Sequence, residues 1–135
     1  MDANKRIGSL VYPELSYQLM GALFTVHNKL GNTYQEKYYQ RAIEVELTNL
    51  GISFVREKEI TIGYGNIGIG KYFLDFIVDS KIVLEIKTTP GIAVPYERQL
   101  LAYLESANMK LGIVANFRTD KLTYRRLINP HVKIT

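Results

Sequence analysis

The sequence predicts a single α/β domain, a mixed central sheet flanked by helices, with elements in the order α-α-β-β-β-α-β. Three observations predict it. Two stretches in the first third repeat apolar residues at helical spacing. A block of β-branched and aromatic runs follows, punctuated by turn residues. One more helical stretch then separates that block from a last short apolar strand. A strand reached through a helix suits a right-handed crossover to a parallel position, so the sheet is mixed. A length of 135 residues fits one domain with its own core, placed at about residues 14–129.

The elements follow in order. Residues 1–12 are expected to be loose. Pro13 suits the first turn of a helix, and Leu15, Leu19, Ala22, Leu23, Val26 and Leu30 recur along one face. Gly31-Asn32 stops it. A second helical pattern covers residues 34–50, with Tyr38, Ala42, Val45 and Leu50 among its apolar positions and Gly51 as its stop. Residues 53–62 read as the first strand, with a charged run at 56–59. Four glycines in residues 63–70 read as a loose turn or bulged hairpin. They match no phosphate-binding pattern and lack the strand-to-helix setting such a loop needs. Strands at 72–78 and 82–87 complete an antiparallel meander. Pro90-Gly91 breaks the chain, Pro95 begins a third helix to about Ala107, and residues 110–115 form a short apolar strand. Residues 122–128 read as a final strand or an extended tail.

The middle pair of strands carries the chemistry. Alternate residues of a strand share a face, so Asp75 sits with Phe73 and Ile77, while Glu85 and Lys87 point together from the next strand. Unpaired buried charge is expensive in a core strand. Two carboxylates can hold a divalent metal, and a lysine can stabilise a reacting anion. The bland alternative is an ion pair of Lys87 with Asp75 or Glu85 at a sheet edge. The site reading depends on the connection Asp79-Ser80-Lys81. A three-residue loop places Asp75 opposite Glu85, whereas a two-residue loop sends them to opposite faces unless a bulge compensates.

Composition excludes several classes. With no cysteine there are no disulfides, thiolate zinc sites or cysteine nucleophiles. The two histidines, His27 and His131, lie far apart in sequence, and His27 reads as a structural or surface residue of the first helix. No apolar run is long enough for a membrane span and no signal-peptide pattern opens the chain, so the expectation is a soluble cytoplasmic protein without a membrane partner. The net charge of +4 is unevenly spread: residues 109–135 hold six Lys/Arg against one Asp/Glu. That basic stretch, with Arg125 and Arg126, is a candidate surface for a polyanion, or else a solvated face.

Asp75 on one strand and Glu85-Ile86-Lys87 on the next resemble the core motif of the PD-(D/E)xK nuclease superfamily. The element order resembles its restriction-endonuclease-like core. More specifically, the chain is similar to the GxxExxY protein family, small bacterial and archaeal members of that superfamily. The similarity runs through Val26-His27-Asn28-Lys29-Leu30-Gly31, Glu36-Lys37-Tyr38-Tyr39, the two site strands, Gln99-Leu100-Leu101-Ala102-Tyr103 and Asn116-Phe117. Two positions depart from it: Thr33 stands where the family has glycine, and Leu74 where the superfamily has proline. The resemblance implies a Mg²⁺- or Mn²⁺-dependent nuclease cleaving phosphodiester bonds, of DNA more than RNA. It implies that Asp75, Glu85 and the Ile86 carbonyl hold the metal, and that Lys87 orients water or stabilises charge. Glu36 would serve a second metal or a metal-bound water. Gln99 and Tyr103, four apart on one helix face, would position a nucleic-acid strand. The alternative of the same fold is an inactive nucleic-acid-binding or protein-interaction module, against which stands the presence of all three central residues. A third is an unrelated ligand-binding α/β protein. At this size a full substrate channel calls for a homodimer or a protein partner.

Overall fold

The structure is a computed structural model and describes residues 11–134. Two helices come first, α1 (Pro13–Leu30) and α2 (Glu36–Asn49). The strands β1 (Phe54–Tyr64), β2 (Ile67–Val78) and β3 (Ile82–Lys87) follow, then α3 (Val94–Ala107), β4 (Leu111–Asn116) and β5 (Thr123–Ile128). The five strands form one sheet in sequence order. β3 and β4 are parallel, joined through α3, and the other neighbours are antiparallel. Of residues 122–128, Thr123–Ile128 thus form an edge strand rather than a tail.

Helices cover both faces. Leu19, Leu23 and Val26 of α1 and Ile43 and Leu47 of α2 pack on Ile82, Leu84 and Ile86 of β3. On the other face Leu100 and Leu104 of α3 pack on Val83 and Val114. β3 is therefore buried on both sides, as a central parallel strand is. Residues 1–10 of the stretch expected to be loose lie outside the described residues. Val11, however, is only 1% exposed and belongs to the core, so the expectation fails at its last positions. An aliphatic side chain beside α1 is more stable buried than loose.

Local geometry explains the joints. Gly31 ends α1 at φ +75°, a conformation that penalises a Cβ, and its N–H returns to the His27 carbonyl. The buried Tyr39 then fixes the α1–α2 turn: its hydroxyl donates to the Gly31 carbonyl at 2.7 Å and accepts from the Tyr34 N–H at 3.2 Å. Its ring stacks on Phe117 at 4.7 Å. His27 is buried with Nε2 2.9 Å from the Thr119 carbonyl, a structural histidine. The glycines of residues 63–70 build a bulged hairpin, with a register shift at Ile62/Gly63 and Tyr64 paired to Ile67 across a two-residue turn. Between β2 and β3 the loop is odd: Val78 pairs with Ile82, and the three residues between them include Asp79 and Ser80, both left-handed.

One departure from regular alternation matters for the site. On β2, Tyr72 and Leu74 pack toward α3, yet Phe76 and Val78 pack toward α1 and α2. On β1, Phe54 and Ile60 are split in the same way. Residues of one parity therefore change faces along both strands. The change falls at Glu57, whose φ is +50°, and at Asp75, and the β1–β2 register passes over both. Asp75 sits in a crease of the sheet, not on one continuous face with Phe73 and Ile77 as simple alternation predicts.

Candidate active site

Beyond the crease, side chains take over the work of the ladder. The last β2–β3 pair is Phe76 with Leu84. At the next position Asp75 Oδ2 accepts the Ile86 N–H at 2.7 Å, and Glu85 Oε2 accepts the Asp75 N–H at 3.2 Å. The two carboxylates therefore stand side by side on adjacent strands, as the odd loop requires. The bond to Ile86 points the Asp75 carboxylate along the sheet, toward β3.

The electrostatics follow from that crowding. Glu85 is 3% exposed and its Oε1 has no hydrogen-bond partner. Burial first, and then the Asp75 charge, push its carboxyl up to about 9, against the opposing pull of Lys87. Glu36, the first residue of α2, is raised by burial and by the Asp75 charge and lowered by Lys87. Lys87 thus lies within electrostatic reach of both glutamates, and its ammonium rests 4.9 Å from the centre of the Tyr96 ring.

Lys87 and Glu85 face α3 across a cleft also lined by Gln99, Tyr103, Tyr96 and Tyr72. Tyr72 and Tyr103 stack face to face at 3.8 Å with 18° between their planes. Burial and then the Glu85 charge raise both phenols. The cleft holds only about 10 Å³, so Glu85 is screened from bulk water. A much larger cavity, about 780 Å³, lies on the opposite face among α1, Leu50 and Tyr124. Of the candidate site residues it contains only Arg126, and chemistry rather than size identifies the site.

The basic stretch is divided. Arg125 pairs with Val114, which pairs with Glu85, so Arg125 lies on the site face two strands away, roughly 10 Å. It forms a 3.7 Å ion pair with Glu97 of α3. Arg126 is not brought to the site. It points to the α1 face, where Nη2 donates to the Val11 carbonyl at 3.1 Å and to Ser16 Oγ at 3.2 Å. Successive strand residues face opposite ways, so the two arginines cannot act as one patch.

Sequence reasoning missed Tyr72, which regular alternation places on the other face from Asp75. It also missed Arg56 and Gln40. Arg56 donates to the Asp75 carbonyl at 2.9 Å and to Gln40 Oε1 at 2.9 Å, and Gln40 donates to Glu36 Oε1 at 3.3 Å. A charged run on an edge strand gave no signal of this. Asn116, buried at the end of β4, exchanges hydrogen bonds with Thr89 N–H and carbonyl and so ties down the chain after Lys87.

Among the described residues no group of three or more His, Asp or Glu side chains stands close enough to hold a metal ion. Glu36 is near Asp75 but does not complete such a set. The pair that remains fits a hard divalent cation: two carboxylates short of positive charge, one with a buried, unpartnered oxygen. An ion such as Mg²⁺ keeps most of its waters and needs only one or two carboxylates.

A model of the PD-(D/E)XK nuclease superfamily matches residues 13–127. No curated protein matches the sequence. A solved structure titled "Crystal structure of SSO0001" superposes with a TM-score of 0.51 at 20% identity, over 94% of this chain. The chain spans 62% of that protein's length, and at this identity the likeness is one of fold. The family match runs from the first helix to the last strand and contains both site strands, so the chain belongs to the PD-(D/E)XK nuclease superfamily.

Proposed function

We propose that this protein is a Mg²⁺- or Mn²⁺-dependent nuclease that hydrolyses phosphodiester bonds in DNA in preference to RNA. The observation that carries the reading is the Asp75–Glu85 pair. Each carboxylate is bonded to backbone of the other's strand, and Glu85 Oε1 is left buried and unpartnered. Asp75, Glu85 and the Ile86 carbonyl would hold the ion. When bound, it supplies a Lewis acid for the phosphate oxygens and lowers the pKa of a coordinated water. Lys87, beside Glu85 on the same face, stabilises charge developing on the phosphate. Glu36 approaches from α2 toward Asp75 and would hold a water or a second ion. Gln99 and Tyr103 overhang the cleft and position the nucleic-acid strand, and Arg125 supplies a phosphate contact further along the sheet. Placement among GxxExxY proteins is supported by the Glu36–Tyr39 spacing, with Tyr39 bracing the turn that presents Glu36. We place the enzyme in the cytoplasm, and a substrate channel completed by a second copy or a partner accords with the small cleft.

The test is cleavage of single- and double-stranded DNA and RNA with Mg²⁺, with Mn²⁺ and with EDTA. Metal-dependent cleavage is expected, lost about 100-fold or more in Asp75→Ala and Lys87→Ala. Cleavage unchanged in both variants would sink the assignment. Binding without cleavage, falling steeply with salt, would replace it by a binding module of the same fold.

A further inference from the structure

Asp75 is held by its backbone as much as by its carboxylate. In a regular strand both its N–H and its carbonyl would bond to neighbouring strands. Here the N–H goes to the Glu85 carboxylate at 3.2 Å and the carbonyl receives Arg56 Nε at 2.9 Å. Two side chains therefore fix the orientation of the residue that the crease releases from the ladder. The other guanidinium nitrogens are committed too. Nη2 donates to Gln40 Oε1 at 2.9 Å, and Nη1 lies 3.3 Å from Glu44 Oε1. The guanidinium carbon sits 4.4 Å from the centre of the Phe76 ring. Gln40 relays the contact, its amide donating to Glu36 Oε1 at 3.3 Å. One planar, largely buried group thus joins β1, β2 and α2, and touches Asp75 itself and the partner of Glu36 at once.

We infer that Arg56, acting with Gln40, is a positioning residue of this site: it aims Asp75 through its carbonyl and Glu36 through the Gln40 amide. The inference rests on the nuclease reading above. Arginine is suited to the place because its rigid fork serves three acceptors in fixed directions. A lysine offers one point charge on a flexible stem and cannot serve all three. Groups that orient metal-binding carboxylates typically matter about 10–100-fold in metal affinity or activity, although they touch neither metal nor substrate.

The experiment compares Arg56→Lys and Gln40→Ala with the parent protein. Mn²⁺ binding is measured by electron paramagnetic resonance without nucleic acid, then kcat and KM for DNA cleavage, then the thermal midpoint. Both variants are expected to bind Mn²⁺ about tenfold more weakly and to lose about tenfold in kcat, with little change in KM. A role in folding alone would lower the midpoint and leave both constants as they are. Gln40 is half-buried on α2 and belongs to neither core cluster, so its truncation decides the matter if Arg56→Lys fails to fold. Folded Gln40→Ala with parental Mn²⁺ affinity and kcat overturns the positioning role while leaving the nuclease standing. A parent protein that neither binds Mn²⁺ nor cleaves overturns both.

Discussion

Glu85 is kept where its surroundings resist its charge. Its folded-state carboxyl titrates at about 9, against an ordinary value of 4.5, because it is buried beside Asp75. The folded protein therefore holds this proton through a range in which the unfolded chain has lost it. Stability is fullest below about 4.5 and declines as pH rises toward about 9, where the folded form also ionises. Glu85→Gln removes that decline. The variant is expected to be more stable than the parent at neutral pH, with the gap closing as pH falls toward 4.5. It should also be inactive, and Mg²⁺ or Mn²⁺ should raise the thermal midpoint of the parent and not of the variant. Denaturation at several pH values, with and without metal, checks all three statements. A variant less stable than the parent at pH 8 would show that Glu85 is ionised and satisfied in the metal-free fold.

At the scale of elements, the β2–β3 connection decides whether the site exists. Its three residues give an odd loop; the sequence left a two-residue loop open, and because side-chain direction alternates with period two only the odd one sets Asp75 beside Glu85 without a bulge. Asp79 and Ser80 both take left-handed backbone, at φ +51° and +57°, which costs a residue with a Cβ about 1–2 kcal/mol. Ser80→Gly relieves part of that cost and gives back some as chain entropy. Chemical denaturation should show a gain of about 0.5–1 kcal/mol, with cleavage unchanged. A loss of stability would mean the Ser80 side chain holds the turn in another way. The crease at Glu57 and Asp75 was not legible. Alternation assumes a straight strand, and the switch at Asp75 arises only once helices on opposite faces claim Leu74 and Phe76. For the same reason Tyr72 escaped notice while Glu85 and Lys87, on the straight β3, did not. The helices were readable from local periodicity, but the buried face of the second was not: Tyr38, Val45 and Leu50 are exposed, and Tyr39, Ile43 and Leu47 are buried in their place. The Arg56 relay was not readable either, because it joins residues 16 and 19 positions apart in sequence.

Over the whole molecule, the sequence concentrates positive charge in residues 109–135, and the fold then distributes it. Lys110 donates to the Asn129 carbonyl, Arg126 is tied to Val11 and Ser16, and Arg125 alone of the adjacent arginines faces the site side. Net charge along the chain is therefore a poor measure of the charge presented to a phosphate backbone. Each phosphate contact releases about one counterion, so it steepens the dependence of log affinity on log salt by about one. Arg125→Ala should weaken DNA binding and reduce that slope by about one, once its 3.7 Å pairing with Glu97 is allowed to open. Arg126→Ala should leave the slope as it is and instead lower stability by about 1–3 kcal/mol, since it strips donors from a partly buried carbonyl and hydroxyl. Titrations of both variants across a salt series, paired with thermal melts, separate the two roles. Equal slopes in Arg125→Ala and the parent would return the β5 edge to solvent and place the nucleic-acid path elsewhere on the α3 face.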